Sequence, residues 1–404
     1  MDFESAIMFH DLIHNGLTKT AKAWLLCFVG KMGRFVSLET YAIEFPNRVR
    51  FINRDKERTI SSLPRLDLCD NSGLRDVGLV DTFVAIIKDA CCFAYSDLIL
   101  LEDKVYYCEI KEDSLIGKSS NCADKKVLKA DEKAYYTIEI PQEEHKLESG
   151  IFMSGLFSWN YYHFTYQVIP KLRMVDSIAP DVPLLVDKKG KEVPSFAALL
   201  TLCNKQNRPV EYLEEKVRYR VDNLYYVSGQ TYLEPNHKAG LPYPAIRCRY
   251  RPSTLHYLRE NMISETRRMP YPKRVFIGRK YASGRRSFNE EDCIACAKEF
   301  GFEVVFPEFM SLEEQVCLFN NAEIIIGGSG AAFTNLIYCS EGVKVIVLSK
   351  YCPTLGLWQT IIDFVGGVMV YVCETNEAND NPKNEHDAFR IDVEKLRSVI
   401  NELQ

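Results

Sequence analysis

The chain is predicted to be an α/β protein, and three observations carry that prediction. From about residue 150, short apolar runs of strand character alternate with helix-length segments. Five of these runs crowd into the last third of the chain, spaced as strands joined by helices are. A glycine-rich turn ends the sequence Ala322–Asn335, AEIIIGGSGAAFTN, where a strand stops abruptly and a helix opens among small residues. Strands and helices alternating at this spacing form a parallel, Rossmann-like sheet. A chain of 404 residues exceeds one ordinary core, so it divides into domains. The expected division is an N-terminal extension containing β-structure over 1–145, one lobe over 146–268 and a second over 269–404.

The elements follow in order. Leu17–Phe35 reads as a helix: Trp24–Val29 is apolar, flanked by Lys19, Lys22, Lys31 and Arg34. Such a helix either lies on a membrane surface or docks on the protein's own core. Asp97–Leu101 and Lys104–Ile110 are expected to pair as strands around Glu102 and Asp103, with loop over Lys111–Lys133. Tyr135–Pro141 alternates as a half-buried strand does. In the first lobe a helix over Trp159–Val175 follows Ser158, and Pro170 either kinks it or starts a second helix. Val182–Asp187 and Asn223–Val227 read as strands, and Ser195–Asn204 and Ser253–Arg268 as helices. Met269–Lys273 reads as a hinge. The second lobe has strands at Arg274–Gly278, Phe302–Phe306, Ala322–Gly327, Val343–Leu348 and Val368–Val372, with helices near 289–300, 311–320 and 330–339. Asp392–Leu403 closes the chain as a helix with Asp392 as its N-cap.

Composition narrows the function classes. Fifty Lys and Arg against 55 Asp and Glu give a net charge of −5, which argues against a nucleic-acid binder and against unaided attraction to anionic lipid. The 14 cysteines are scattered without a framework and read as reduced, buried thiols. Cys293 and Cys296 have no second pair at zinc spacing, so no metal site is expected. Neither a basic-then-apolar leader nor a run of about 18 apolar residues occurs. A cytoplasmic protein is expected, with the Leu17–Phe35 helix as its route to the inner face of the membrane.

Four clusters carry candidate chemistry. Arg279, Arg285, Arg286 and Asn289 follow the first strand of the second lobe, where forked guanidinium donors suit a diphosphate; Asn289 alternatively caps the next helix. Glu308, beyond the second strand, is placed to accept hydrogen bonds from a ribose diol. Ser311 and Glu314 after it form a capping box. The turn Gly327-Gly328-Ser329-Gly330, followed by Ala331, suits close approach of backbone to phosphate or sugar. It fails as a dinucleotide fingerprint, because Phe333 takes the third small position and Leu348-Ser349-Lys350 lacks the acidic residue. Asn160-Tyr161-Tyr162-His163 opens a helix in the first lobe, and an imidazole there can act as a general base near neutral pH.

Together these blocks resemble glycosyltransferase family 61. The resemblance rests on Asn160–His163 with Pro170-Lys171-Leu172, on Arg279, Arg285, Arg286 and Asn289, on Glu308 with Ser311, Glu314 and Gln315, and on Gly327–Asn335. It covers about residues 150–350. It implies a GT-B-like architecture, two Rossmann-like lobes facing a cleft, and an inverting transferase that needs no metal. The implied donor is a nucleotide-sugar, a UDP-sugar first, held by Arg279, Arg285, Arg286, Asn289, Glu308, Gly328, Ser329, Gly330, Ala331 and Asn335. A glycan or polysaccharide acceptor, as in capsule synthesis, would meet His163 and Asn160 in the first lobe; no separate cofactor is implied. The chain departs from the family in two places. Ser329 stands where the family has His, and Gln167 stands where it often has an acid four residues after His163. His163 itself, or Asp187, is then the expected base. The alternative from another class is a catalytically degenerate member that binds sugar-nucleotide or glycan and assists a partner enzyme. A sugar-nucleotide epimerase on the same fold is the third reading.

Overall fold

The computed structural model describes residues 31–65, 73–102, 105–107, 127–130, 135–138, 140–233, 248–263, 270–279, 287–351, 356–375 and 388–404. Among these the strands gather into one thirteen-stranded and one five-stranded sheet, interleaved with helices as the α/β prediction requires.

The five-stranded sheet runs Glu303–Val305, Arg274–Ile277, Ile324–Gly328, Lys344–Tyr351, Val368–Thr375, every pair parallel. Numbered along the chain the order is 2-1-3-4-5, a doubly wound sheet. The strands read as continuous Val and Ile runs because both faces are covered. Phe276, Ile324, Ile326, Ile346 and Leu348 pack on one side with helices Glu290–Glu299 and Val393–Leu403. Val275, Ile277, Ile325, Val345 and Val347 turn to the other. There Leu312–Asn321, the 3₁₀-helix Ala331–Tyr338 and Leu357–Val365 cover them. The capping box is present: Ser311 N donates to Glu314 Oε2 at 2.7 Å and Ser311 Oγ accepts from Glu314 N at 3.2 Å. Asp392 caps the last helix, its Oδ1 accepting from Glu394 N at 2.9 Å.

Asn289 does not cap helix Glu290–Glu299 through its side chain. Its Nδ2 donates to Ile391 O at 3.1 Å, and its Oδ1 accepts from Ile391 N at 2.8 Å. The amide is occupied in fastening the segment before the last helix, which removes it from both expected roles.

In the large sheet, Val210–Leu213, Leu184–Asp187, Glu143–Phe152 and Val217–Val227 lie side by side and parallel. Antiparallel Arg75–Phe93 and Val49–Ser61 extend this run. These are the two longest strands, and they come from the stretch read as an extension. The boundary expected near 145 is therefore not a sheet boundary. Asp89 adopts φ +53° inside its strand. Phe93 pairs with Arg218 by register, yet its carbonyl accepts from Ser154 Oγ at 3.5 Å. Tyr107 meets Tyr226 edge-on at 5.2 Å. The sheet thus folds over on itself and encloses Phe83, Cys92, Tyr107, Phe152, Tyr219 and Tyr226.

Two expectations change. Lys31–Phe35 is a strand, paired with Tyr135–Ile138 and Val105–Tyr107, because partners on both sides satisfy its backbone groups. The rest of the proposed Leu17–Phe35 helix lies outside the described residues. The helix over Trp159–Val175 is not continuous: one turn at Tyr161–His163 passes into a π-helix at Phe164–Val168 and a 3₁₀-helix at Ile169–Met174, with Pro170 in the latter's first turn. This segment, with Pro194–Cys203 and Pro252–Ile263, lies between the sheets. A single apolar cluster joins Tyr162, Phe164, Phe196 and Leu255 to Val275, Ile277, Phe333 and Trp358.

Candidate active site

The carboxyl ends of Arg274–Ile277 and Ile324–Gly328 are neighbours at the point where the chain reverses its direction across the small sheet. Ligands of doubly wound sheets enter at such a crevice. Arg279 stands there, half-buried, its guanidinium carbon 5.4 Å from the Phe288 ring centroid. A Cβ on Gly328 would lie 3.0 Å from Arg279 Nη2 and 3.0 Å from the Phe288 ring. Gly328 is bare so that the guanidinium can lie across the strand end. Gly330 is beside it, its notional Cβ 3.9 Å from Arg279 Nη1. Glu290 Oε1 accepts from Arg279 N at 3.2 Å. Burial pushes the Glu290 carboxyl above its ordinary range, Arg279 pulls it down, and nearby Glu308 pushes it up. Arg279, Gly328, Gly330, Glu290 and Glu308 therefore share one edge. Ser329 is tied by its N–H to Leu348 O at 2.9 Å and by its Oγ to Trp358 Nε1 at 3.4 Å. Ala331 is exposed at the start of the 3₁₀-helix. Arg285 and Arg286 lie outside the described residues.

His163 sits where the first helical turn gives way to the π-helix. Such i→i+5 insertions recur at functional sites. Its Nδ1 is 2.7 Å from Gln167 Oε1, while Gln167 Nε2 donates to Thr231 O at 3.3 Å. A carbonyl can only accept, so the amide orientation is set and its oxygen faces the imidazole. Nδ1 then carries the proton and Nε2 keeps its lone pair. Burial lowers the pKa of His163 below its ordinary 6.5, with the Gln167 contact opposing. A neutral imidazole with its lone pair on Nε2 can remove a hydroxyl proton. Asn160 is the helix N-cap, its Oδ1 accepting from Tyr162 N at 2.9 Å.

The other expected residues are structural here. Asn335 is fully buried; its Oδ1 accepts from Tyr161 Oη at 2.8 Å and its Nδ2 donates to Gln315 Oε1 at 2.7 Å. It bolts the glycine-rich segment to the helix that carries His163 rather than facing a ligand. Asp187 is 1 % exposed, accepting from Ser154 Oγ at 2.7 Å, from Tyr95 N at 2.9 Å and from Ser158 Oγ. Burial raises its pKa to about 6 against those hydrogen bonds and Lys171. Occupied on both oxygens, it anchors the loop before His163 and does not stand in as base. A small cavity of about 60 Å³ adjoins this anchor, lined by Ser154, Gly155, Gln167, Lys171 and Thr231 among others.

The residues from Tyr161 to Ile346, which span His163, Arg279 and the glycine turn, match the family model described as Glycosyltransferase 61. This stretch of the chain is similar to glycosyltransferase 61. No curated protein matches the chain. Glycosyltransferases in general take a sugar donor and a glycan acceptor. Among the described residues no helix is long and apolar enough to cross a membrane. The nine described cysteines are all buried and unbridged, Cys293 and Cys296 included.

Within the matched stretch and beside it, three contributors escape a reading of motifs. Phe288 supports Arg279, and Glu290 holds its backbone; the acidic run after Asn289 reads only as a helix start. Trp358 bridges Ser329 to Tyr162, whose ring it meets edge-on at 5.6 Å. Its helix was detectable from Leu357, Trp358, Ile361, Ile362 and Val365 at helical spacing.

Proposed function

We propose that the protein is an inverting, metal-independent glycosyltransferase of GT-B-like arrangement, moving a sugar from a nucleoside-diphosphate donor, a UDP-sugar first, to a growing glycan or polysaccharide at the cytoplasmic side of the membrane. The observation that carries this reading is the Arg279 guanidinium laid over Gly328 at the crevice of the small sheet. The family supplies the reaction class.

In this reading the acceptor oxygen attacks the anomeric carbon as the bond to the diphosphate oxygen breaks on the opposite face. The acceptor's proton passes to His163 Nε2. The Gln167 oxygen steadies the imidazolium through Nδ1–H. Arg279, with the basic turn that follows it, takes up the charge developing on the leaving diphosphate. A fixed cation there stabilises the transition state more than the ground state, so it raises turnover as well as binding.

The test uses two readouts. UDP, GDP and CDP are expected to raise the melting temperature of the wild type, one of them most, because a ligand for the folded state alone stabilises it. Arg279→Ala is expected to abolish that shift and lower transfer by about a hundredfold, with the unliganded melting temperature within a few degrees. An Arg279→Ala variant with wild-type shift and turnover refutes the assignment. Treatment with EDTA is expected to leave transfer unchanged.

A further inference from the structure

We propose that the loop Gly155–Asn160 is the acceptor platform, with Trp159 stacking on the apolar face of a sugar ring beside His163. The inference rests on the reading of His163 as the base next to the acceptor, and it adds the residue that selects what comes there. Trp159 lies just before the segment that matches the family.

The loop shows three features that belong together. Phe157 adopts φ +63°, a left-handed conformation that a bulky side chain enters only at a cost, usually where function requires it. That conformation puts the Phe157 ring 5.1 Å from the His163 ring and 6.3 Å from the Trp159 ring, centroid to centroid. The strained residue is clamped from both sides. Ser158 Oγ is held by buried Asp187, the Asn160 N–H donates to Phe157 O at 2.8 Å, and Asn160 caps the following helix. Trp159 projects from this clamped loop with 54 % of its surface exposed. An indole left in water on a rigid support, one ring removed from His163, offers a flat apolar face with a polar edge to a ligand.

The chemistry of the occupant follows from the surface offered. A pyranose presents a patch of C–H bonds on one face and hydroxyls at its rim. The electron-rich face of an indole attracts such weakly positive C–H groups, and its flat body matches the ring. Because the loop is already ordered, little conformational freedom is lost on contact. A sugar stacked there would lie along the loop on which Phe157 links Trp159 to His163.

The experiment is saturation-transfer NMR on the full chain with methyl glycosides of glucose, galactose, mannose, N-acetylglucosamine and xylose, and with UDP in a separate arm. With wild type, at least one glycoside is expected to receive saturation on its ring C–H protons. Trp159→Ala is expected to reduce that signal about tenfold, and Trp159→Phe to restore about half of it. The UDP arm is expected to be the same in all three proteins. Equal glycoside signals in wild type and Trp159→Ala, or none in wild type, overturn the platform. Loss confined to the uracil protons overturns it as well, because the indole then serves the donor. The UDP arm with Arg279→Ala reports separately on the donor assignment, so failure of one is not failure of the other.

Discussion

At the scale of single residues, the proton position on His163 is the feature with the most direct consequence. Burial holds the imidazole neutral, and the Gln167 oxygen fixes its proton on Nδ1 without adding a charge, so the acid limb of the pH–rate profile is expected below the ordinary imidazole value. Gln167→Glu puts a carboxylate against Nδ1–H, which favours the imidazolium. The base is then protonated over a wider range, and the acid limb is expected to move up by about one pH unit. A profile unchanged in that variant means His163 is not the titrating base. The same shift has a stability side. The folded value lies below the unfolded one, so between the two the unfolded chain binds more protons, and stability falls as pH drops through that window.

At the scale of elements, the packing of strand ends decides what the site tolerates. Gly328→Ala places a methyl group within 3.0 Å of both Arg279 and Phe288, and the flexible guanidinium is the group that gives way. The expected result is about a tenfold loss of nucleotide affinity with a small change in melting temperature. A calorimetric titration matching wild type would show that Arg279 need not lie over the strand. Gly356→Ala is different in kind. Gly356 sits at φ +56°, and a Cβ there would press into the backbone oxygen of Ser62, so a loss of about 3 kcal/mol in denaturant unfolding is expected. The same scale explains what the sequence discloses. The five strands of the small sheet are legible because burial on both faces leaves uninterrupted Val and Ile, as in Ile324-Ile325-Ile326. Val49–Ser61 is not, because its middle carries Asn53, Arg54, Asp55 and Lys56 facing water. The π-turn after His163 leaves no periodic trace, since it changes hydrogen bonding without changing which residues are apolar. The nearness of Arg279 to the glycine turn is legible from both following strand ends, whereas the structural duties of Asn289, Asn335 and Asp187 depend on partners up to 174 positions away.

At the scale of the whole molecule, the two sheets share one apolar cluster through the segment carrying His163. Tyr166 Oη donates to Thr334 O at 2.9 Å, and Arg259 Nη1 to Cys339 O at 2.8 Å, across the same junction. Unfolding is therefore expected as a single calorimetric transition; two separated peaks would show that the sheets melt independently. Asn289 adds a consequence that reaches the end of the chain. Its paired bonds to Ile391, with the Phe389 N–H donating to Ser287 O at 2.9 Å, splice the closing segment onto the residues that leave the basic turn. The closing segment thereby braces Ser287 and Asn289 on either side of Phe288, the ring under Arg279. Cropping the chain before Phe389, or loading it with a bulky fusion, is expected to free Phe288 from its stacked partner and so weaken nucleotide binding at Arg279, while the sequence around Arg279 stays intact.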